Sequence, residues 1–219
     1  MMIRKAIWSD LDAVEQLYNE IHDAEETGII TTGWLRGVYP SRESARAALE
    51  RDDLFMLEDD GKTLGSGIIN QIQVDVYEGA PWEFNVPDQQ VCVLHTLVIS
   101  PAEFGKGYAR AFLAFYEEYA REHHCPGLRI DTNARNTAAR AMYKKHGYKE
   151  IGIVPTVFNG IPGVNLVLLE KHLFGNRELY LRQKQLLDTF LEHGAISQAQ
   201  YDKSLGDLTE KMRMKDADS

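Results

Sequence analysis

The chain has 219 residues, 44% of them apolar, with 24 Lys and Arg against 33 Asp and Glu for a formal charge of −9 and a pI near 5.3. That length suits one good core with an appendage, and the acidic balance argues against nucleic-acid or anionic-membrane partners while favouring cationic ones. No apolar run is long enough to span a bilayer, the start does not read as a secretory leader, and Cys92 and Cys125 need no disulfide framework or metal site, so a reduced cytoplasmic setting is expected.

Ile3 to Ile7 reads as a first strand. Ser9 with Asp12 three residues on has a capping-box pattern, opening a helix that buries Leu11, Val14, Tyr18 and Ile21. From Thr27 to Pro40 glycines and aromatics alternate without a period, a loop where an acceptor pocket could form, before a short helix capped by Ser41 that carries Ala45, Ala48 and Leu49. Leu54 to Glu58 and Leu64 to Val74 predict a hairpin about Asp59-Asp60-Gly61-Lys62. Pro81-Trp82 and Val86-Pro87 punctuate a loop. Val91 to Ile99 is apolar on both alternating faces, as a mid-sheet strand should be. Strict alternation puts Val91, Val93, His95, Leu97 and Ile99 on one face and Cys92, Leu94 and Val98 on the other.

That strand runs through Ser100-Pro101 into Phe104-Gly105-Lys106-Gly107-Tyr108-Ala109-Arg110, where a helix opens. It buries Ala109, Phe112, Leu113, Tyr116 and Ala120 and stops at Pro126-Gly127. A glycine-bearing turn at a helix start is an anion cradle, because the first helical N–H groups have no partner within the helix and lie at the positive end of its dipole. A pyrophosphate fits there. No Gly-x-x-x-x-Gly-Lys-Ser/Thr is present and the dinucleotide fingerprint lacks its third glycine, so those readings fall back. Leu128 to Thr132 is the next strand. A helix then begins at Asn136 and ends with Lys144, Lys145 and His146 before Gly147, in position for a left-handed cap. Strands near Lys149 to Val154 and Asn165 to Glu170 close an α/β arrangement with a mixed sheet.

Phe104 to Ala109, followed by Asn136, Ala139, Tyr143, Gly147 and Tyr148, resembles the GNAT-type N-acetyltransferase superfamily. The loop matches its Gln/Arg-x-x-Gly-x-Gly/Ala motif, and the later residues match its Asn-x-x-Ala-x-x-x-Tyr helix ending in Gly-aromatic. The resemblance covers roughly residues 1 to 170. It implies the acyl-CoA N-acyltransferase fold, a mixed, mostly antiparallel central sheet flanked by helices, and acetyl-CoA as cosubstrate. By the same resemblance Leu97, Val98, Ile99, Gly105, Lys106, Gly107, Tyr108, Ala109, Arg110, Asn136, Ala139 and Tyr143 would contact the coenzyme. Phe104 departs from the usual Gln or Arg, which leaves backbone amides, with Lys106 and Arg110 near, to hold the phosphates.

Acetyl transfer to an amine needs a positioned thioester, a deprotonated amine and a proton for the leaving thiolate. The resemblance places Tyr143 beside the coenzyme sulfur as proton donor, with a core aromatic as the blander reading; Asn136 also reads as a plain helix cap. His95, whose unperturbed pKa is about 6.5, is the candidate base, against a histidine satisfied in the core. Glu83 and Glu103 are weaker candidates. Trp34, Tyr39, Tyr77 and Trp82 could line a cationic pocket or serve as loop packing. His123-His124-Cys125 reads as a helix terminus rather than a metal site. Two functions remain: transfer to a primary amine of a small molecule, amino acid or peptide, or a catalytically weak CoA-binding regulatory or interaction module.

Residues 1–172 are expected to form the catalytic domain and 173–219 a helical hairpin extension, which resembles the short SHOCT-type modules of bacterial proteins. Leu186, Leu187, Phe190 and Leu191 stripe its first helix and Gly194 stops it. Ser197 with Gln200 caps the second, which carries Tyr201, Leu205, Leu208 and Met212. So small a hairpin cannot bury a core alone, so it should pack on the outer sheet face or across a homodimer.

Overall fold

A computed structural model describes residues 1–84, 86–173 and 176–211, the side chains of residues 176–179 and 182 excepted. The chain divides into two compact units, Met1–Lys171 and His172–Ser219. The first holds a seven-stranded, mostly antiparallel sheet in the order β1-β2-β3-β4-β5-β7-β6. Its strands are β1 (Met2–Lys5), β2 (Leu54–Asp59), β3 (Lys62–Asn70), β4 (Val91–Ile99), β5 (Gly127–Asn133), β6 (Lys149–Phe158) and β7 (Ile161–His172), and its helices are α1 (Leu11–Glu26), α2 (Arg42–Glu50), α3 (Tyr108–Glu122) and α4 (Thr137–Lys145).

Alternation along the strands separates the sheet's two faces. Leu54 pairs with Ile68 and Met56 with Ser66, and this face packs on α1 through Val14, Leu17, Tyr18 and Ile21 and on α2 through Ala45 and Ala48. Phe55 points the other way onto α3, its ring 5.5 Å from Phe115 and 5.2 Å from Tyr119. At Gly67 a Cβ would lie 2.7 Å from the Phe112 ring, so only glycine lets α3 seat this closely.

Four sequence expectations are corrected. Ser9 caps no helix. Trp8–Asp10 is a 3-10 turn, α1 starts at Leu11, and Asp10 accepts the Ile7 N–H at 2.8 Å. β3 stops at Asn70, whose side-chain oxygen accepts the Ile72 N–H at 2.9 Å and turns the chain out of the sheet. β6 and β7 are longer than expected because Asn159 and Gly160 both adopt positive φ, 49° and 79°, the turn that suits a tight hairpin. The faces of β4 also differ, since Thr96 has φ 49° and the register with β3 jumps between Ser66↔Val98 and Ile68↔His95. This bulge inserts one extra residue, so Val98 joins the α1/α2 face with His95, while Ile99, opposite Gly65, falls on the α3 face with Leu94, opposite Ile69.

The second unit is the expected helical hairpin, α5 (Asn176–Glu192) and α6 (Gln198–Lys211). Gly194 has φ 68°, and the capping box is present: Gln200 N–H donates to Ser197 Oγ at 3.3 Å and Ser197 N–H to Gln200 Oε1 at 2.8 Å. Of the two anticipated stripes, that of α5 leaves Leu186 and Phe190 exposed, while Leu208 in that of α6 is buried. Met212 lies outside the described residues.

Candidate active site

β4 and β5 run parallel and pair only from Val91↔Gly127 to Leu94↔Ile130. Beyond Leu94 they part, and the bulge at Thr96 sits where the split begins. Backbone groups of Leu97 to Ile99 on the β5 side therefore have no strand partner there, and a buried strand needs one. Below the split, Gly105 and Gly107 take φ 78° and 91°, and Gly107 is the N-cap of α3. A Cβ at Gly105 would meet nothing within 4 Å, and one at Gly107 only Arg110 Nη2 at 3.7 Å. The turn is thus open on its outer side with free helical N–H groups behind it, a geometry that fits a pyrophosphate, while the cleft above fits an extended arm bearing amides.

The side chains around this turn are less uniform than the resemblance implies. Lys106 is paired with Glu103 at 2.9 Å, which reduces its free charge. Tyr108 donates from its hydroxyl to Asp59 Oδ2 at 3.2 Å. Val98 is buried in the α1/α2 cluster, so only its backbone can serve a ligand. Phe104, 44% exposed, lines the cavity with Leu97, Ile99, Gly105 and Ala109.

That cavity, about 840 Å³, continues from the cleft to the loop before α2. Tyr143, Asn136, Ala139 and His95 line it. Asn136 caps α4, accepting the Ala139 N–H at 3.2 Å, so the cap reading holds alongside cavity placement. Tyr143 is buried, its ring edge-on to Tyr148 at 5.9 Å. Burial, with Asp131 adding to it, pushes its hydroxyl well up from the usual phenol range, so it stays protonated.

His95 is present as a neutral imidazole, because burial pushes its pKa down to about 4 against the upward pull of Asp53 and the Ile72 backbone. Its Nε2 lies 3.0 Å from Asn70 Oδ1. Asn70 Nδ2 donates to Asp53 Oδ2 at 2.8 Å and Asn70 Oδ1 accepts from Ile72 N–H, so the amide is oriented and His95 Nε2 must be a donor. In that tautomer the lone pair of the neutral ring sits on Nδ1, and with a pKa near 4 the ring is a weak base.

The sequence reading missed Asp131 of β5. Asp131 lines the cavity, and its carboxylate accepts a hydrogen bond from the buried Tyr77 hydroxyl at 2.7 Å. Burial raises its pKa to about 6, the Tyr77 bond pulling the other way. The available signal was an acid directly after Leu128 and Ile130, the apolar positions of a strand, where that strand leaves the core. Arg51, at the C-cap of α2, also lines the cavity and was not singled out.

The four aromatic candidates divide. Trp34 and Tyr39 line the cavity, Tyr39 hydrogen-bonded through its hydroxyl to Thr96 Oγ1. Burial pushes the Tyr39 hydroxyl up to about 12; the Thr96 bond and the charge of Arg51 lower it and the charge of Asp131 raises it. Tyr77 and Trp82 instead pack edge-on at 5.0 Å, and the Arg129 guanidinium lies 4.0 Å over the Trp82 ring. Glu83 pairs with Lys149 and Glu103 with Lys106, and neither lines the cavity. His123 stacks on Tyr119 at 3.8 Å, its Nδ1 2.7 Å from the Tyr119 carbonyl, the helix-terminus arrangement expected of it.

Comparison with solved structures finds the same fold. An acetyltransferase of the GNAT family from Streptococcus agalactiae aligns at 23% identity and TM-score 0.65 over 78% of this chain and 94% of its own. The ribosomal-protein-alanine N-acetyltransferase of Brucella melitensis aligns at 22% and 0.58 over 78% and 99%. A Salmonella typhimurium protein of the acetyltransferase class, seen with its cofactor acetyl-CoA, aligns at 18% and 0.57 over 80% and 94%. Comparison with curated proteins finds no match. The family model for acetyltransferases of the GNAT family matches residues 12–148, which takes in the split between β4 and β5, the glycine turn and the Asn136-to-Tyr148 segment that contains α4. The chain therefore belongs to the GNAT family of acetyltransferases, enzymes that draw their acetyl group from acetyl-CoA.

Proposed function

We propose that the protein moves the acetyl group to a primary amine of a small molecule, amino acid or peptide by direct attack on the thioester. The observation that carries this reading is the meeting, in one cavity beside the split, of a buried carboxylate at Asp131 and a protonated phenol at Tyr143. Acetyl-CoA supplies an electrophilic carbonyl and a thiolate leaving group. Backbone N–H groups from Gly105 to Arg110 hold the pyrophosphate, and the unpaired backbone of Leu97 to Ile99 meets the amides of the pantetheine arm.

The acceptor arrives as an ammonium ion and must lose two protons. Asp131, ionised at neutral pH, takes the first, directly or through a water; its pKa near 6 lies close to the working pH, as a base requires. The amine nitrogen then forms its bond to the carbonyl carbon as the C–S bond breaks. Tyr143 gives a proton to the departing sulfur and recovers the second amine proton. His95, with a pKa near 4 a weaker base than Asp131, acts in this reading by orienting the pocket wall. The buried thiols of Cys92 and Cys125 support a reducing, cytoplasmic setting, and the exposed side chains of α5 support a homodimer contact.

The test is calorimetric titration with acetyl-CoA, followed by CoA thiol release with a panel of amines. Saturable binding with amine-dependent release is expected. Binding without release for any amine would instead favour the regulatory alternative.

A further inference from the structure

Among the described residues, Asp131 is the only acid lining the cavity and Arg51 the only guanidinium or ammonium group. Both charges act on the Tyr39 hydroxyl, Tyr39 itself lining the cavity. Among the described residues Asp131 has one hydrogen-bond partner, the neutral Tyr77, and no ion-pair partner. Buried charge of that kind is costly unless a cation arrives to pair it.

Arg51 is set up differently. Its Nε and Nη2 lie 2.9 and 3.4 Å from the Asp53 carboxylate, while Nη1 has no hydrogen bond among the described residues. Asp53 is buried, is bound from behind by Asn70 Nδ2 at 2.8 Å, and does not line the cavity. The ion pair is therefore anchored from behind by Asp53, and Arg51, its side chain 44% exposed, is the partner that lines the cavity. A planar fork held in that way is suited to a second carboxylate.

Resting on the acetyl-transfer reading above, we infer that the acceptor is an amino acid in the broad sense: an amine also bearing a carboxylate, its ammonium group on Asp131 and its carboxylate on Arg51. A polyamine would bring its second charge to a wall with no second acid, and a plain alkylamine would leave the Arg51 edge unmet. Specificity follows because only an acceptor bearing a carboxylate gains the charge-assisted contact with Arg51 in addition to that of its ammonium group with Asp131.

The experiment compares kcat/KM, by CoA thiol release, for glycine, β-alanine, γ-aminobutyrate and 6-aminohexanoate against alkylamines of matched length and 1,4-diaminobutane. At least one carboxylated amine should exceed its matched alkylamine by about tenfold or more, chiefly through KM, the size of one charge-assisted contact. In Arg51→Gln that ratio should fall toward one, and Arg51→Lys should keep part of it. Equal use of alkylamines or diaminobutane, or a ratio that Arg51→Gln leaves intact, overturns the inference while acetyl transfer stands. No release with any amine overturns acetyl transfer itself, and the inference with it.

Discussion

Replacing Asp131 by asparagine removes a charge and almost no volume, so its consequences can be worked from the site. The carboxyl pKa is raised from 3.8 to about 6 by burial. Each unit is worth about 1.4 kcal/mol, so ionising this group costs the folded state about 3 kcal/mol at most, solvent reaching it from the cavity trimming the figure. The folded pKa lies above the unfolded one, so the folded state binds the proton more tightly. The group's favourable contribution is complete below about pH 4 and is lost as pH rises through about 6. The substituted amide would not ionise and can still accept the Tyr77 hydrogen bond. The variant should therefore match the wild type near pH 4 and be more stable at pH 8, by up to about 10 °C in Tm for a unit of this size. Turnover should fall by about 10² to 10⁴, and the limb of the rate profile near pH 6 should vanish, with acetyl-CoA affinity unchanged. Thermal melts at both pH values and CoA release across pH 5 to 9 check this. A stability gap that ignores pH, or a pH 6 limb that survives the substitution, would refute the assignment of the base.

Gly107→Val puts a β-branched residue at φ 91° on the turn that faces the coenzyme, and should weaken acetyl-CoA binding at least tenfold by calorimetry; unchanged affinity would move the pyrophosphate elsewhere. Tyr143→Phe should lower kcat about tenfold or more while the acetyl-CoA Kd moves little, since the hydroxyl acts on the departing sulfur; normal turnover would leave Tyr143 as packing. Truncation after Lys171 removes α5 and α6 and should lower Tm or change the mass seen by light scattering, with acetyl-CoA binding retained. A truncated chain equally stable and identically assembled would make the hairpin a free recognition arm.

Periodicity and caps along the chain were sufficient for the element order. The stripes of α1 and α3, the Asn136 cap and the Gly107 and Gly147 turns are local matters, decided by residues within a turn or two of one another. The glycine turn and the Asn136-to-Tyr148 segment were legible for the same reason. Registers and electrostatics were not. The Thr96 bulge exists only against Gly67 of a neighbouring strand, and it moves Val98 to the opposite face from the one alternation assigns. His95 is an ordinary imidazole in sequence; burial drives its pKa down despite Asp53, and the Asn70 amide, held by Asp53, makes its Nε2 a donor. Asp131 and Arg51 are 80 positions apart, and nothing near either one announces the other. Local interactions determine where elements begin and end, whereas a site's pKa values and charge pairing depend on what the folded chain brings within a few ångströms and shields from water.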